Sequence, residues 1–349
     1  MRQKHKIIIT GGAGYIGSHT VVELLDSDYD VVIIDDFSNS SPETIDRISQ
    51  ITGKKPTLIK VDLKDRKIVL ETFELHSDAQ AVIHFAASKA VGESVDKPLK
   101  YYRNNLCSLM NVLEGQTNSG INNVIFSSSA TVYGVPDKLP ITEKDPTKRP
   151  SSPYGNTKKI AEEIIEDLVK SNPEISSIIL RYFNPVGAHE SGLIGELPTG
   201  VPNNLLPFIT QTAVGLREKL LVFGNDYQTK DGTPIRDYVH VVDLAKAHVK
   251  AVERLINKEQ EHPLEHFNLG TGFGHSVLDI IKTFEKVSGK SLNYEVVQRR
   301  KGDVPELFTS VEHVRKKLNW QASTGLEQMI KSSWDWELHF REHQNNGNA

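Results

Sequence analysis

Tyr154 and Lys158 stand four residues apart. On a helix that spacing puts a phenol and an ammonium on one face, and the positive charge favours the ionised phenol. Bringing a tyrosine from about 10 to near neutrality takes about 4 kcal/mol, which a cation supplies only in a partly desolvated cleft. The product would be a general base at physiological pH. A helix is expected from Pro153 to Lys170: Ser152 reads as its N-cap, Pro153 sits in its first turn, and Ala161, Ile164, Ile165, Leu168 and Val169 recur at helical spacing. Chance places such pairs on many helices, so support must come from elsewhere. The apolar run Asn123 to Ser127 continues into Ser128 and Ser129, which puts hydroxyls at a strand's carboxyl end, where open α/β sheets bind ligands.

A second group of residues suits a dinucleotide. The strand Ile7 to Thr10 runs into Gly11, Gly14 and Gly17, spaced as G-x-x-G-x-x-G, and Ser18 to Leu25 then reads as a helix. Glycines let backbone approach a pyrophosphate closely, and the helix end offers free N–H groups with partial positive charge. Eighteen residues after Gly17, at the end of the next apolar strand, come Asp35 and Asp36. A carboxylate there accepts hydrogen bonds from the adenosine ribose and repels a 2'-phosphate, so NAD is favoured over NADP. Asp62 follows a third strand and is a candidate adenine contact, with an ordinary surface carboxylate as the alternative.

These residues need a parallel sheet beneath them. Short apolar runs at Ile7 to Thr10, Val31 to Ile34, Thr57 to Val61, Ala81 to Phe85, Asn123 to Ser127 and Ile178 to Tyr182 alternate with helical stretches. That pattern predicts a doubly wound α/β fold of the Rossmann type over 1–184. Beyond Asn184 the chain turns rich in Gly, Pro and Asn, so a smaller α/β substrate-binding lobe is expected over 185–342. A helix near Val242 to Asn257, with Asp243 as N-cap, is expected to pack back on the first lobe as part of 236–257, and 343–349 to form a flexible tail.

The chain has 349 residues, 38% hydrophobic and 25% charged, with a formal net charge of -4. No basic field of the kind nucleic acid requires is present. A single cysteine, Cys107, cannot close an internal disulfide, and no apolar run reaches the ~20 residues of a membrane span. With a strand starting almost at once and no room for a leader, the expectation is a soluble cytoplasmic protein without membrane partners. The pairs His262/His266 and His339/His343 lack supporting ligands, so no metal is expected and these histidines are assigned to the surface. Trp320, Trp334 and Trp336 are expected to be packing anchors.

Glycine loop, strand-end serines and Tyr-x-x-x-Lys together resemble the extended short-chain dehydrogenase/reductase superfamily. Within it, Ile83 to Ala87, Ala90 to Ser94, Arg181 to Gly187, Phe223 to Tyr227, Arg236 to His240, Asn268 to Gly270 and Arg299 to Asp303 are similar to the UDP-glucose 4-epimerases across nearly the whole chain. The resemblance implies interconversion of UDP-galactose and UDP-glucose at carbon 4 through a 4-keto sugar, with NAD tightly held. It makes Ser129, Tyr154 and Lys158 catalytic: Ser129 binds the sugar oxygen, Tyr154 removes its proton, and Lys158 holds the nicotinamide ribose and lowers the Tyr154 pKa. For NAD it adds Tyr15, Ile16, Asp35, Asp36, Asp62, Leu63, Phe85, Ala86, Lys89, Asn104 and Tyr182. For the UDP-hexose it gives Asn184, Asn204, Leu205, Leu221, Val222, Arg236, Tyr238, Arg300, Asp303 and Leu307. Guanidinium forks suit a diphosphate, although a solvated or ion-paired arginine remains the alternative for both Arg236 and Arg300.

Rival chemistries are separable on residues. Sugar-nucleotide 4,6-dehydratases place an acidic pair just before Val-Tyr-Gly, where this chain has Ala130 and Thr131, so elimination lacks its acid and base. A net dehydrogenase or decarboxylase would accumulate reduced cofactor or release carbon dioxide. A silent NAD-sensing scaffold typically loses Tyr or Lys, and both are present. Leu307 lies where, by the resemblance, a bulky aromatic excludes an N-acetyl group and a small residue admits it. It is intermediate in size, and weak turnover of N-acetylated UDP-hexoses is expected. The resemblance also implies a homodimer, through the helix of Tyr154 and the helix around Lys100 to Gln116.

Overall fold

The computed structural model describes residues 4–198, 200–300 and 303–347. Its first lobe contains strands β1 (Lys6–Thr10), β2 (Asp30–Asp35), β3 (Thr57–Lys60), β4 (Ala81–His84), β5 (Asn123–Ser129) and β6 (Ser176–Tyr182). Helices α1 (Tyr15–Asp26), α2 (Glu43–Thr52), α3 (Arg66–Leu75), α4 (Val91–Asp96), α5 (Pro98–Asn118) and α6 (Pro153–Ser171) connect them. A parallel sheet covered by helices on both faces needs strands without a polar side. Ile7, Ile8 and Ile9 of β1 accordingly have no exposed surface.

Beyond β6 come β7 (Asn184–Val186), α7 (Leu205–Ala213), β8 (Leu220–Phe223), β9 (Ile235–His240), α8 (Val241–Ile256), β10 (Leu264–Leu269), β11 (Gly274–Ser276), α9 (Val277–Ser288), β12 (Tyr294–Val297), β13 (Glu306–Leu307), α10 (Glu312–Lys317) and α11 (Leu326–Gly347). The large sheet has seven strands in the order β10-β6-β5-β4-β1-β2-β3, and its paired strands are all parallel. The smaller lobe holds a sheet in which β9 pairs with β7, β11 and β13, plus the pair β8/β12. Its own core gathers Leu206, Ile209, Ile280, Phe284 and Trp334.

Val249 and Val252 of α8 share a core with Val21 and Leu25 of α1. Three details differ from the sequence reading. Leu264 to Leu269, counted with the second lobe, forms the edge strand beside β6. Asp243 does not cap α8: His240 does, its Nδ1 accepting from the Val242 N–H at 3.2 Å, while the Asp243 carboxylate receives the N–H groups of Ser323 and Thr324 at 3.0 and 2.9 Å. Helix α11 runs through Gly347, into the segment expected to fray.

The tryptophans are packing anchors, each 5–7% exposed. Trp320 donates Nε1–H to the Asp243 carbonyl at 2.8 Å, fixing the chain after α10 to α8. Of the histidines assigned to the surface, His266 lies half-buried on β10, where burial lowers its pKa to about 4. Among the described residues, no helix is long and apolar enough to cross a membrane.

Candidate active site

The loop between β1 and α1 is built for close backbone approach. Gly11 has φ of 74°, and a Cβ there would lie 2.7 Å from the Ala86 nitrogen. A Cβ on Gly17 would meet the Gly11 carbonyl oxygen at 2.2 Å. Gly14 begins α1 without any side-chain cap, so the first N–H groups of the helix are available to an anion. Asp35, at the end of β2, ties this loop down: one carboxylate oxygen accepts from the Ala13 N–H at 3.0 Å, the other from the Phe37 N–H at 2.9 Å and the Ser40 hydroxyl at 2.8 Å. Asp36 accepts from the Ser38 N–H at 2.8 Å. These features fit a dinucleotide: an open cradle, an uncapped helix end and acid where its ribose would lie.

The other residues expected around a cofactor are spread over the neighbouring loops and helices. Phe85 and Ala86 leave β4 with both N–H groups on the Thr10 carbonyl. Leu63 is buried, whereas Asp62 is exposed and paired with Lys64 at 3.1 Å. Asn104 donates to the Ser88 hydroxyl at 3.2 Å, and Ile16 is half-buried in the first turn of α1. Tyr15 donates its hydroxyl to the Gly187 carbonyl at 2.6 Å, joining the glycine loop to the second lobe.

Helix α6 starts as its sequence predicts, with the Ser152 hydroxyl accepting from the Gly155 N–H at 3.2 Å and Pro153 in the first turn. It delivers Tyr154 to the neighbourhood of Ser129 at the end of β5. Lys158 is buried one turn on, donating to the Ser127 carbonyl at 2.6 Å with its ammonium 4.9 Å from the Phe126 ring centre. Desolvation lowers Lys158 to about 8, opposed by the Glu162 carboxylate. The same protein surroundings push Tyr154 up to about 12, against the Ser129 hydrogen bond that favours its anion. The ammonium is spent on Ser127, and burial outweighs what remains.

Two polar groups behind the pair escaped the sequence reading. Glu162 and Arg181 form a buried ion pair with contacts of 2.7 and 3.1 Å, and Ser128 donates to the same carboxylate. Arg181 also donates to the Tyr133 hydroxyl at 2.8 Å. Glu162 lies four residues past Lys158, on the same face of α6, but nothing in the local order pairs it with Arg181. Tyr182 shares a hydrogen bond with Nε2 of His248, whose Nδ1 faces the Leu244 carbonyl at 2.9 Å. His248 also packs on Phe85, ring centres 4.7 Å apart.

The second lobe carries its candidate contacts on the β7/β9/β13 strands, on and near the β8/β12 pair, and at the start of α7. Arg236 on β9 pairs with Asp303 and lies in register with Leu307 on β13. Leu307 in turn packs against Ala130, Tyr133 and Phe183, so these strands abut the end of β5. Asn184 lies opposite Tyr238 in the β7/β9 register. Tyr238 is buried and raised to about 12 by that burial. The Arg300 guanidinium stands 4.2 Å over the Phe223 ring. Leu221 is 36% exposed, but Val222 points into the core with 1% exposure. Period-2 alternation therefore leaves only Val222's backbone for a ligand. Asn204 precedes α7, which begins at Leu205, and its amide donates to Glu196 at 2.7 Å.

A family model described as GDP-mannose 4,6 dehydratase matches residues 8–333. A UDP-glucose 4-epimerase of Bacillus subtilis (strain 168) is 52% identical over 331 residues, 95% of this chain and 96% of the relative. The crystal structure of UDP-glucose 4-epimerase from Bifidobacterium longum, in complex with NAD+ and UDP, superposes with a TM-score of 0.91 at 44% identity, covering 96% of this chain and 98% of that one. This chain belongs to the UDP-glucose 4-epimerase family. A further relative, the UDP-Glc/GlcNAc 4-epimerase of Campylobacter jejuni, has a TM-score of 0.83 at 39% identity, with coverage of 96% and 99%. Ala130 is a buried methyl, and Thr131 buries an unpartnered hydroxyl where elimination would need carboxylic acids.

Proposed function

We propose that the protein interconverts UDP-galactose and UDP-glucose by inverting carbon 4 of the hexose through a transient 4-keto sugar, in galactose metabolism. The observation carrying this reading is that α6 sets Tyr154 next to Ser129 at the end of β5, with Lys158 buried on the Ser127 carbonyl one turn on, beside the strands that bear Arg236 and Leu307. NAD, bound throughout the cycle, supplies the acceptor and then the donor of the hydride at carbon 4. Tyr154 takes the proton from the 4-hydroxyl and later returns it, Ser129 holds the sugar oxygen, and Lys158 holds the neighbouring ribose. A phenol at about 12 needs added positive charge nearby before it serves as a base near neutrality. Arg236 and Arg300 grip the diphosphate while the hexose, more loosely held, turns to offer its other face. Leu307 leaves room for N-acetylated UDP-hexoses to be turned over as well.

The same reading makes the protein a cytoplasmic homodimer. Helix α5 packs beside α6 and leaves Leu99 and Met110 77% and 47% exposed, a face suited to a second copy. Sedimentation should show a species of twice 39.0 kDa.

The deciding experiment incubates the protein with UDP-galactose and no added reductant, following the sugar by NMR. UDP-glucose should appear without lasting absorbance of reduced cofactor. A 4-keto-6-deoxy product or stoichiometric reduction would overturn the reading. In Tyr154→Phe, turnover should fall by about 100- to 10,000-fold with UDP binding retained, the loss expected of a general base.

A further inference from the structure

One oxygen of the Glu196 carboxylate receives two donors from opposite sides of the cleft. The Lys89 ammonium reaches it at 3.0 Å from the loop after β4, and the Asn204 amide at 2.7 Å from the start of α7. Lys89 itself stands 5.7 Å over the ring of Tyr15 in the glycine-loop helix. Glu196 is well placed to act as a fixed anchor. Trp336 of α11 donates its indole N–H to the Glu196 carbonyl at 3.2 Å, and the same indole packs so tightly on Gly195 that a Cβ there would lie 2.5 Å from it. The carboxylate is 12% exposed, whereas Lys89 keeps 47% of its surface open.

We propose that Glu196 is a positioning residue that couples the two ligand sites, so that a UDP moiety engaging Asn204 tightens the hold on the dinucleotide through Lys89. The inference rests on the epimerase reading, which places the dinucleotide beside Lys89 and the nucleotide-sugar beside Asn204. Its physical basis is the shared acceptor. Both donors meet on one oxygen, so a ligand that fixes Asn204 also fixes the acceptor that aims Lys89. Coupling of this kind is reciprocal, so the dinucleotide should raise UDP affinity by the same factor.

The test loads the holoprotein with labelled NAD and follows its loss into excess unlabelled NAD, with and without saturating UDP. In the native protein UDP should slow that loss by about tenfold, within the usual range of coupling between sites. In Glu196→Gln, which keeps size and an acceptor but removes the charge, the ratio should fall to about twofold or less. Lys89→Met should do the same, and the double variant should lose nothing more, as a shared pathway requires. A native-like ratio in Glu196→Gln or in Lys89→Met, or no effect of UDP in the native protein, overturns the coupling. Failure of the native protein to retain NAD and bind UDP would instead bring down the epimerase reading. A simple packing role for Glu196 would lower the melting temperature of the variants without changing the ratio.

Discussion

The hydroxyl of Tyr182 points at Nε2 of His248 in a site where neither ring has more than 5% of its surface exposed. Because Nδ1 of His248 faces the Leu244 carbonyl, that nitrogen carries the ring's proton and Nε2 accepts from the tyrosine. Burial lowers His248 to about 4, so the ring stays neutral and the direction of the bond is fixed at physiological pH. The pair holds Tyr182 beside Tyr154 and Ser127.

Replacing His248 with Leu leaves a buried hydroxyl without its acceptor. The expected cost is about 1–3 kcal/mol in urea unfolding. An unchanged midpoint would mean that the tyrosine finds another partner.

Acid should unfold the protein earlier than its carboxylates alone require. His19 and His84 are lowered to about 3, and His240 and His248 to about 4, in each case by burial first of all. A histidine lowered in the folded state binds its proton more readily when unfolded, so its contribution is complete above about 6.5 and is lost as pH falls from there toward 3–4. Each should add a slope of up to about 1.4 kcal/mol per pH unit in that window. Denaturation midpoints at a series of pH values check the sign, and stability flat from pH 7 to 5 would refute it.

In Glu162→Gln, Arg181 keeps its buried charge without a counter-ion. Losing one partner of a buried pair costs about 3–5 kcal/mol, so the variant should melt much earlier. Glu162 also raises Lys158, and the acid–base profile of turnover should shift down with the lysine in whatever folded protein remains.

Leu307 occupies a half-buried position against Ala130, Tyr133 and Phe183, in register with Arg236. Leu307→Tyr should narrow that space and cut turnover of UDP-N-acetylgalactosamine by at least about tenfold relative to UDP-galactose, the scale on which a filled pocket rejects an added group. Competition assays with both sugars measure the ratio directly. Equal losses on the two substrates would show that Leu307 does not read the N-acetyl position.

What could be read from the amino-acid order was local. The uncapped glycine loop, the Ser152-Pro153 start of α6 and the Tyr154/Lys158 spacing depend on neighbours within a turn or two. Pairings across the chain were silent. Glu162 and Arg181 each look like surface charges until β6 brings one onto the other. Leu264 to Leu269 joins the large sheet because β6 offers an open edge, and local periodicity cannot report an edge. Asp243 had the chemistry of a cap but found better use for both oxygens in Ser323 and Thr324. Tyr154 carried the right residue type, while the balance between its burial and its neighbouring charges emerged only in three dimensions.

The route of the chain between lobes has an evolutionary consequence. After β9 it goes back through α8 and β10, then out again to β11, and Trp320 is still fastened to α8 before α11 begins. Neither lobe is one uninterrupted stretch. New sugar specificities in this architecture therefore cannot arise by grafting a whole substrate lobe at a single crossover. Exchange of the smaller lobe would need more than one crossover, whereas changes on strands such as β9 and β13 leave its ties to the larger lobe intact.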